Sequence, residues 1–187
     1  MDKRLIILDR DGVINHDSPE YIKNPTEWLP IDGSPQAISK LNNAGYLVVI
    51  ATNQAGLSRG IFSFEDLHSI HSKMLNTLSQ YGGTIDAIFF CPHSPNDQCK
   101  CRKPEPGMLI EIKNRFRVDL KNVRFIGDSK RDLLAAEKSG AIPCLVKTGN
   151  GLKTINENAK NLKKIPKNTK IFENLEDAVE KILLNAG

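Results

Sequence analysis

The chain has 187 residues, of which 40% are hydrophobic and 26% charged, and its net charge is +4 at pH 7. These values match ordinary globular usage, and the length suits one domain with a real core. No apolar run approaches the ~18 residues of a membrane span, and so mild a charge makes no case for nucleic acid.

Residues 4–8 form an aliphatic run that reads as a buried parallel strand and stops at Asp9-Arg10-Asp11-Gly12. Those acids also break any signal-peptide layout, so the cytoplasm is expected, where thiols stay reduced. The four cysteines are therefore not read as two disulfides. Residues 16–30 follow as a long polar loop able to cover or line a site. Ser34 is the expected N-cap of a first helix with Pro35 in its first turn, carrying Ala37, Ile38, Leu41 and Ala44 and closed by Gly45.

Residues 46–51 read as a second buried strand ending in Thr52-Asn53-Gln54. Ser63 opens a long helix whose Phe64, Leu67, Ile70, Met74, Leu75 and Leu78 are expected to face inward, and Gly82-Gly83 ends it. His68 and His71 on that helix are expected at its surface or edge. A third strand, residues 85–90, runs into Cys91-Pro92-His93. A helix after Pro106 carries Met108, Leu109, Ile112 and Phe116. The fourth strand, residues 123–126, terminates at Gly127-Asp128-Ser129, and a helix carrying Leu133 to Ala136 stops at Gly140. Residues 142–146 form the fifth strand and hold Cys144 in the core. Residues 152–170 read as a solvated lysine- and asparagine-rich tail with lysines at 160, 163, 164, 167 and 170, before a closing helix over residues 175–183.

Alternation of strand and helix argues for a parallel sheet with helices on both faces. Polar punctuation falls repeatedly at strand C-termini, where open α/β sheets bind ligands. Asp9, Asp11, Thr52, Lys103 and Asp128 together supply what phosphoryl transfer asks of a site: a carboxylate nucleophile, a second acid, and groups to steady phosphoryl oxygens. Clustered carboxylates also suit a hard cation such as magnesium.

Asp9-Arg10-Asp11-Gly12, Thr52-Asn53, Lys103 and Gly127-Asp128-Ser129-x-x-Asp132 resemble the four motifs of the haloacid dehalogenase superfamily. Residues 9–15, 52–60 and 101–108 further resemble its D-glycero-D-manno-heptose 1,7-bisphosphate phosphatases, with the histidinol-phosphate phosphatases sharing much of the pattern. The resemblance implies a Rossmann-like sheet without a large cap domain. It makes Asp9 the nucleophile and Asp11 the general acid/base, with Thr52 and Lys103 steadying the transferring group. Magnesium would be held by Asp9, Asp128 and the main-chain carbonyl of Asp11. Asn53, Gln54 and Arg102, with Asp17 and Tyr21, would contact a phosphorylated sugar. Asp132 would fix the loop that carries Asp128. The chain departs from the pattern at Val13 and Ser129, where relatives often carry Thr and Lys; at the second, either a positive contact is missing or Lys130 substitutes for it.

Cys91-x-His93-x5-Cys99-x-Cys101 is a separate constellation. Three thiols and an imidazole make a closed, structural zinc set, forming a small zinc loop at about residues 91–101. The expectation is thus a cytoplasmic, monomeric sugar-bisphosphate phosphatase using magnesium and zinc. It would remove the 7-phosphate in nucleotide-activated heptose synthesis for lipopolysaccharide or a surface glycan, with no nucleic-acid or membrane partner. Histidinol phosphate is the alternative substrate. A zinc-containing nucleic-acid module is the remaining one, although four ligands this close leave no room for a ββα finger.

Overall fold

The computed structural model describes residues 4–160 and 164–184. In chain order its elements are β1 (Leu5–Leu8), α1 (Ser34–Asn43), β2 (Leu47–Asn53), α2 (Phe64–Gln80), β3 (Ala87–Cys91) and α3 (Gly107–Phe116). Then come β4 (Arg124–Gly127), α4 (Lys130–Ser139), β5 (Ile142–Val146), α5 (Gly151–Ala159), β6 (Lys170–Phe172) and α6 (Leu175–Leu184). Three short 3-10 turns punctuate the loops, and no described helix is long and apolar enough to cross a membrane.

The strands form one sheet in the order β3-β2-β1-β4-β5-β6, every pair parallel. β1 is central and buried on both faces, which is why it reads as an unbroken aliphatic run. Its alternate residues feed two cores. Ile6 and Leu8 join Val48 and Ile50 beneath α1, α2 and α6, while Leu5 and Ile7 join Val49 and Ala51 beneath α3 and α4. Helices therefore cover both faces.

Strand order reverses direction at β1, whose neighbours are β2 on one side and β4 on the other. That reversal opens a crevice at the carboxyl ends of β1 and β4. Register aligns Leu8 with Ile50 and Ile126, and the Asp9 amide donates to the Ile126 carbonyl at 2.9 Å. The residues just beyond the three strands are thereby delivered to one place.

Several local expectations are corrected. Gly33, at φ 82°, is the N-cap of α1; Ser34 lies inside the helix and its hydroxyl donates to the Val13 carbonyl at 2.9 Å. Phe64 and Leu75 face solvent, Phe64 at the very start of α2 with its ring tilted against that of Phe90. The lysine- and asparagine-rich stretch carries two elements not expected there: α5 at its start and, at its end, the edge strand β6, which pairs Cys144 with Lys170 and Val146 with Phe172. Lys160, Lys164, Lys167 and Lys170 are exposed as expected, and Lys163 lies outside the described residues.

Candidate active site

The crevice holds a polar cavity of about 290 Å³, with Asp9, Asp11, Thr52, Lys103, Asp128 and Asp132 in its wall. At its floor Lys103 Nζ lies 2.8 Å from Asp9 Oδ2 and 2.6 Å from Asp132 Oδ1, and donates to the Ala51 carbonyl at 2.9 Å. Lys103 is only 2% exposed. Burial opposes its charge, but Asp132 and then Asp9 outweigh that and hold its pKa above the ordinary value. Removing one partner of such a buried pair typically costs about 3–5 kcal/mol, because the other charge is left stranded. The backbone of Lys103 is clasped by Asn53: the Lys103 amide donates to Asn53 Oδ1 and Asn53 Nδ2 donates to the Lys103 carbonyl, each at 3.1 Å.

Carboxylate oxygens of Asp9, Asp128 and Asp132 all lie within 4.8 Å of one another. Three buried acids face one ammonium, so ionising all of them leaves an excess of negative charge. Burial drives Asp9 well above the usual carboxylate range; Lys103 opposes this, and Asp132 and Asp128 add to it. Burial, followed by the Asp132 charge, pushes Asp128 up to about 7. Asp132 moves the other way despite its burial, because Lys103 and Arg131 face it. Hard oxygen donors with surplus negative charge out of water fit a magnesium ion. Asp132 is tied to Lys103 and to the Ser129 amide and hydroxyl, Asp9 meets Lys103 and the Arg10 amide, and Asp128 accepts from Asn150. The backbone around them makes room: a Cβ on Gly12 would stand 2.1 Å from Asp128 Oδ2, and one on Gly149 would stand 2.3 Å from it.

Asp11 stands apart from that cluster. Its carboxylate accepts from Arg10 Nε and Nη2 at 3.1 Å each, from Asn15 Nδ2 at 2.9 Å and from Gln54 Nε2 at 3.0 Å. Gln54 Nε2 also donates to Thr52 Oγ1 at 2.9 Å. The expected substrate contacts Asn53 and Gln54 thus line the cavity while their amides are engaged with protein groups. Tyr21, at φ 66°, lines the rim and accepts from Arg59 Nη1 at 2.7 Å. Asp17 and Arg102 line it too, and Arg102 Nη1 donates to the His93 carbonyl at 3.1 Å.

That last bond leads to the second constellation. Sγ of Cys91, Cys99 and Cys101 and Nδ1 of His93 lie within 4.8 Å of one another, with Cys101 Sγ 3.2 Å from Cys91 Sγ and 3.3 Å from His93 Nδ1. None of the cysteines is in a disulfide. Burial, then the Cys101 thiol, holds the Cys91 thiol far above its ordinary pKa, so its deprotonation needs a cation close by. The donor set is that of a closed tetrahedral zinc site. Cys144 is buried in β5, well away from this count.

A model of the HAD-hydrolase-like family matches residues 100–178. The D-glycero-beta-D-manno-heptose-1,7-bisphosphate 7-phosphatase of Bordetella bronchiseptica is 50% identical over 183 residues, 98% of this chain and 99% of that protein. The Pseudomonas aeruginosa enzyme of the same name is 45% identical, covering 94% of this chain and 95% of that one. A crystal structure of D,D-heptose 1,7-bisphosphate phosphatase from B. bronchiseptica, complexed with magnesium and phosphate, superimposes with a TM-score of 0.93 at 49% identity. It covers 97% of this chain and 99% of that one. The chain belongs to this family of haloacid dehalogenase-type phosphatases.

Three features of this phosphatase were not anticipated. Arg131 lines the cavity, whereas Lys130 does not. The Ser129 hydroxyl is bound instead to Asp132 at 2.6 Å. Asn150, just before α5, donates through its amide to Asp128 Oδ2 at 2.7 Å and through Nδ2 to Asp17 Oδ2 at 2.8 Å. It lies beyond the end of the fifth strand, so the rule that found the other strand-end residues would have found it. His71, expected near the surface, is buried with Nε2 3.3 Å from Arg10 Nη1. His68 is exposed, as expected.

Two measurements test these assignments. Without metal, folded Asp128 keeps its proton up to about pH 7, whereas in the unfolded chain it ionises near ~4. The folded state therefore binds more protons between those values, and stability falls as pH rises through them. Melting temperatures in chelator should fall across that window, and Asp128→Asn should flatten the fall and raise the value on its alkaline side. An unchanged profile refutes the assignment. For the loop, elemental analysis should find about one zinc per chain, and Cys99→Ala should lower both zinc content and melting temperature. Metal-free purified protein would remove the zinc assignment.

Proposed function

We propose that the chain is a magnesium-dependent phosphatase that removes the 7-phosphate of D-glycero-D-manno-heptose 1,7-bisphosphate through an aspartyl-phosphate on Asp9. The observation that carries the chemistry is Asp9 held against Lys103 on the floor of a polar cavity, with a second, separately tethered acid two residues on. The names of the Bordetella and Pseudomonas relatives, with nearly full coverage, carry the substrate and favour its β-anomer.

In this reading the Asp9 carboxylate attacks phosphorus while the bond to the sugar oxygen breaks, and Asp11 gives that leaving alkoxide a proton. Asp11, now ionised, takes a proton from water as the water attacks the phosphorus of the acyl phosphate, and phosphate leaves with Asp9 restored. Lys103 and the Thr52 hydroxyl steady the non-bridging oxygens as charge shifts. Bound at Asp9, Asp128 and the main-chain carbonyl of Asp11, magnesium would supply the positive charge that the crowded acids and the phosphoryl oxygens lack. Asn53 positions Lys103, Gln54 orients Asp11 and Thr52, and Asp17, Tyr21 and Arg102 meet the sugar at the rim. The closed Cys91-His93-Cys99-Cys101 set holds zinc as a structural ion. The product would enter nucleotide-activated heptose synthesis.

Phosphate release should be compared, with and without magnesium, on the α- and β-heptose 1,7-bisphosphates and histidinol phosphate. The expected result is magnesium-dependent turnover with the β-anomer preferred about tenfold or more, a difference of ~1.4 kcal/mol in transition-state binding. Preference for histidinol phosphate would overturn the substrate. Asp9→Asn should lower turnover by roughly a thousandfold or more, and retained activity would overturn the covalent route.

A further inference from the structure

Arg10 lies between the two acids and is 1% exposed, so every face of its guanidinium must be met by protein. One edge, Nε and Nη2, forks onto the Asp11 carboxylate. The other, Nη1, meets His71 Nε2 at 3.3 Å, on a helix sixty-one residues further along the chain. A guanidinium has no acceptor, so this contact requires a lone pair on His71 Nε2 and hence the neutral imidazole with its proton on Nδ1. The surroundings favour that form. Burial, then the Arg10 charge, pull His71 down to about 4, with Asp11 opposing and His68 adding a little. The Phe90 ring lies edge-on to the imidazole, with centroids 6.4 Å apart.

We propose that His71 is a positioning residue for the acid/base step: by accepting from Arg10 it fixes the guanidinium fork that orients the Asp11 carboxylate. The proposal rests on Asp11 being the acid/base. Arg10 Nη1 without that acceptor is a buried, unmet donor, and the fork turns to find another partner. The Asp11 carboxylate then loses its two-pronged hold and keeps only Asn15 and Gln54. The nucleophile itself is not reached by this chain of contacts, since Asp9 is held by Lys103 and the Arg10 amide.

A test uses the difference between leaving groups. A sugar alkoxide needs a proton to depart, whereas the phenolate of p-nitrophenyl phosphate does not. First-turnover release rates should be measured on both compounds for His71→Phe, which keeps a ring but no acceptor, and His71→Gln, which keeps an acceptor. His71→Phe should slow release of the sugar about tenfold or more while leaving release of p-nitrophenolate within roughly threefold, and His71→Gln should recover most of the loss. Equal losses on both compounds, or no loss on either, would overturn the proposal. Asp11→Asn, measured alongside, separates the two levels. If it discriminates between the compounds and His71→Phe does not, only the positioning role falls. If Asp11→Asn fails to discriminate, the acid role falls and takes the proposal with it.

Discussion

A single ammonium group, Lys103 Nζ, sits out of water between two carboxylates, and the arrangement of the site depends on that contact. The lysine comes from the segment before α3, Asp9 from the end of β1, and Asp132 from the first turn of α4. Each acid buried near it would be unstable alone, and the lysine would be unstable without them. Mutual dependence of this kind joins three distant stretches of chain more strictly than apolar packing does. Packing tolerates exchange of one aliphatic residue for another; a stranded charge has no comparable substitute.

Sheet topology explains why those stretches meet at all. β1 and β4 are neighbours although more than a hundred residues apart in sequence, and their carboxyl ends flank the crevice created where the strand order reverses. The two acids that come directly after them in sequence, Asp9 and Asp128, are thereby placed side by side. On the other flank β2 runs one residue past Thr52, so that Asn53 reaches the backbone of Lys103. The Cys/His loop ends two residues before that lysine, and Arg102 in between is tied back to His93. Loop and cavity floor are thus one continuous piece of covalent structure.

Much of this was legible in the residues. β1 reads as a buried strand because it is apolar on both faces, and the acids at strand ends were visible as interruptions in aliphatic runs. What stayed hidden had physical reasons. β6 is a three-residue edge strand with only Phe172 buried, too short to show a period, and α5 is anchored by few apolar groups amid asparagine and lysine. His71 is a different case. It lies on the inward stripe with Leu67, Ile70, Met74 and Leu78, so its burial was written in the helical spacing; residue type alone pointed to the surface. Its partner Arg10 could not be foreseen from either. Phe64 fits the same stripe yet faces solvent as the first residue of the helix.

The backbone packed around Asp128 carries a consequence for how this protein can vary. Gly12 and Gly149 both have positive φ, and each approaches the same carboxylate oxygen so closely that no side chain fits. The Thr148 hydroxyl joins the two turns directly by donating to the Gly12 carbonyl at 2.6 Å. Two residues with no chemistry of their own are therefore as irreplaceable as the acid they surround. A new side chain is accommodated instead at the cavity rim, where Asp17 and Arg131 are exposed to solvent.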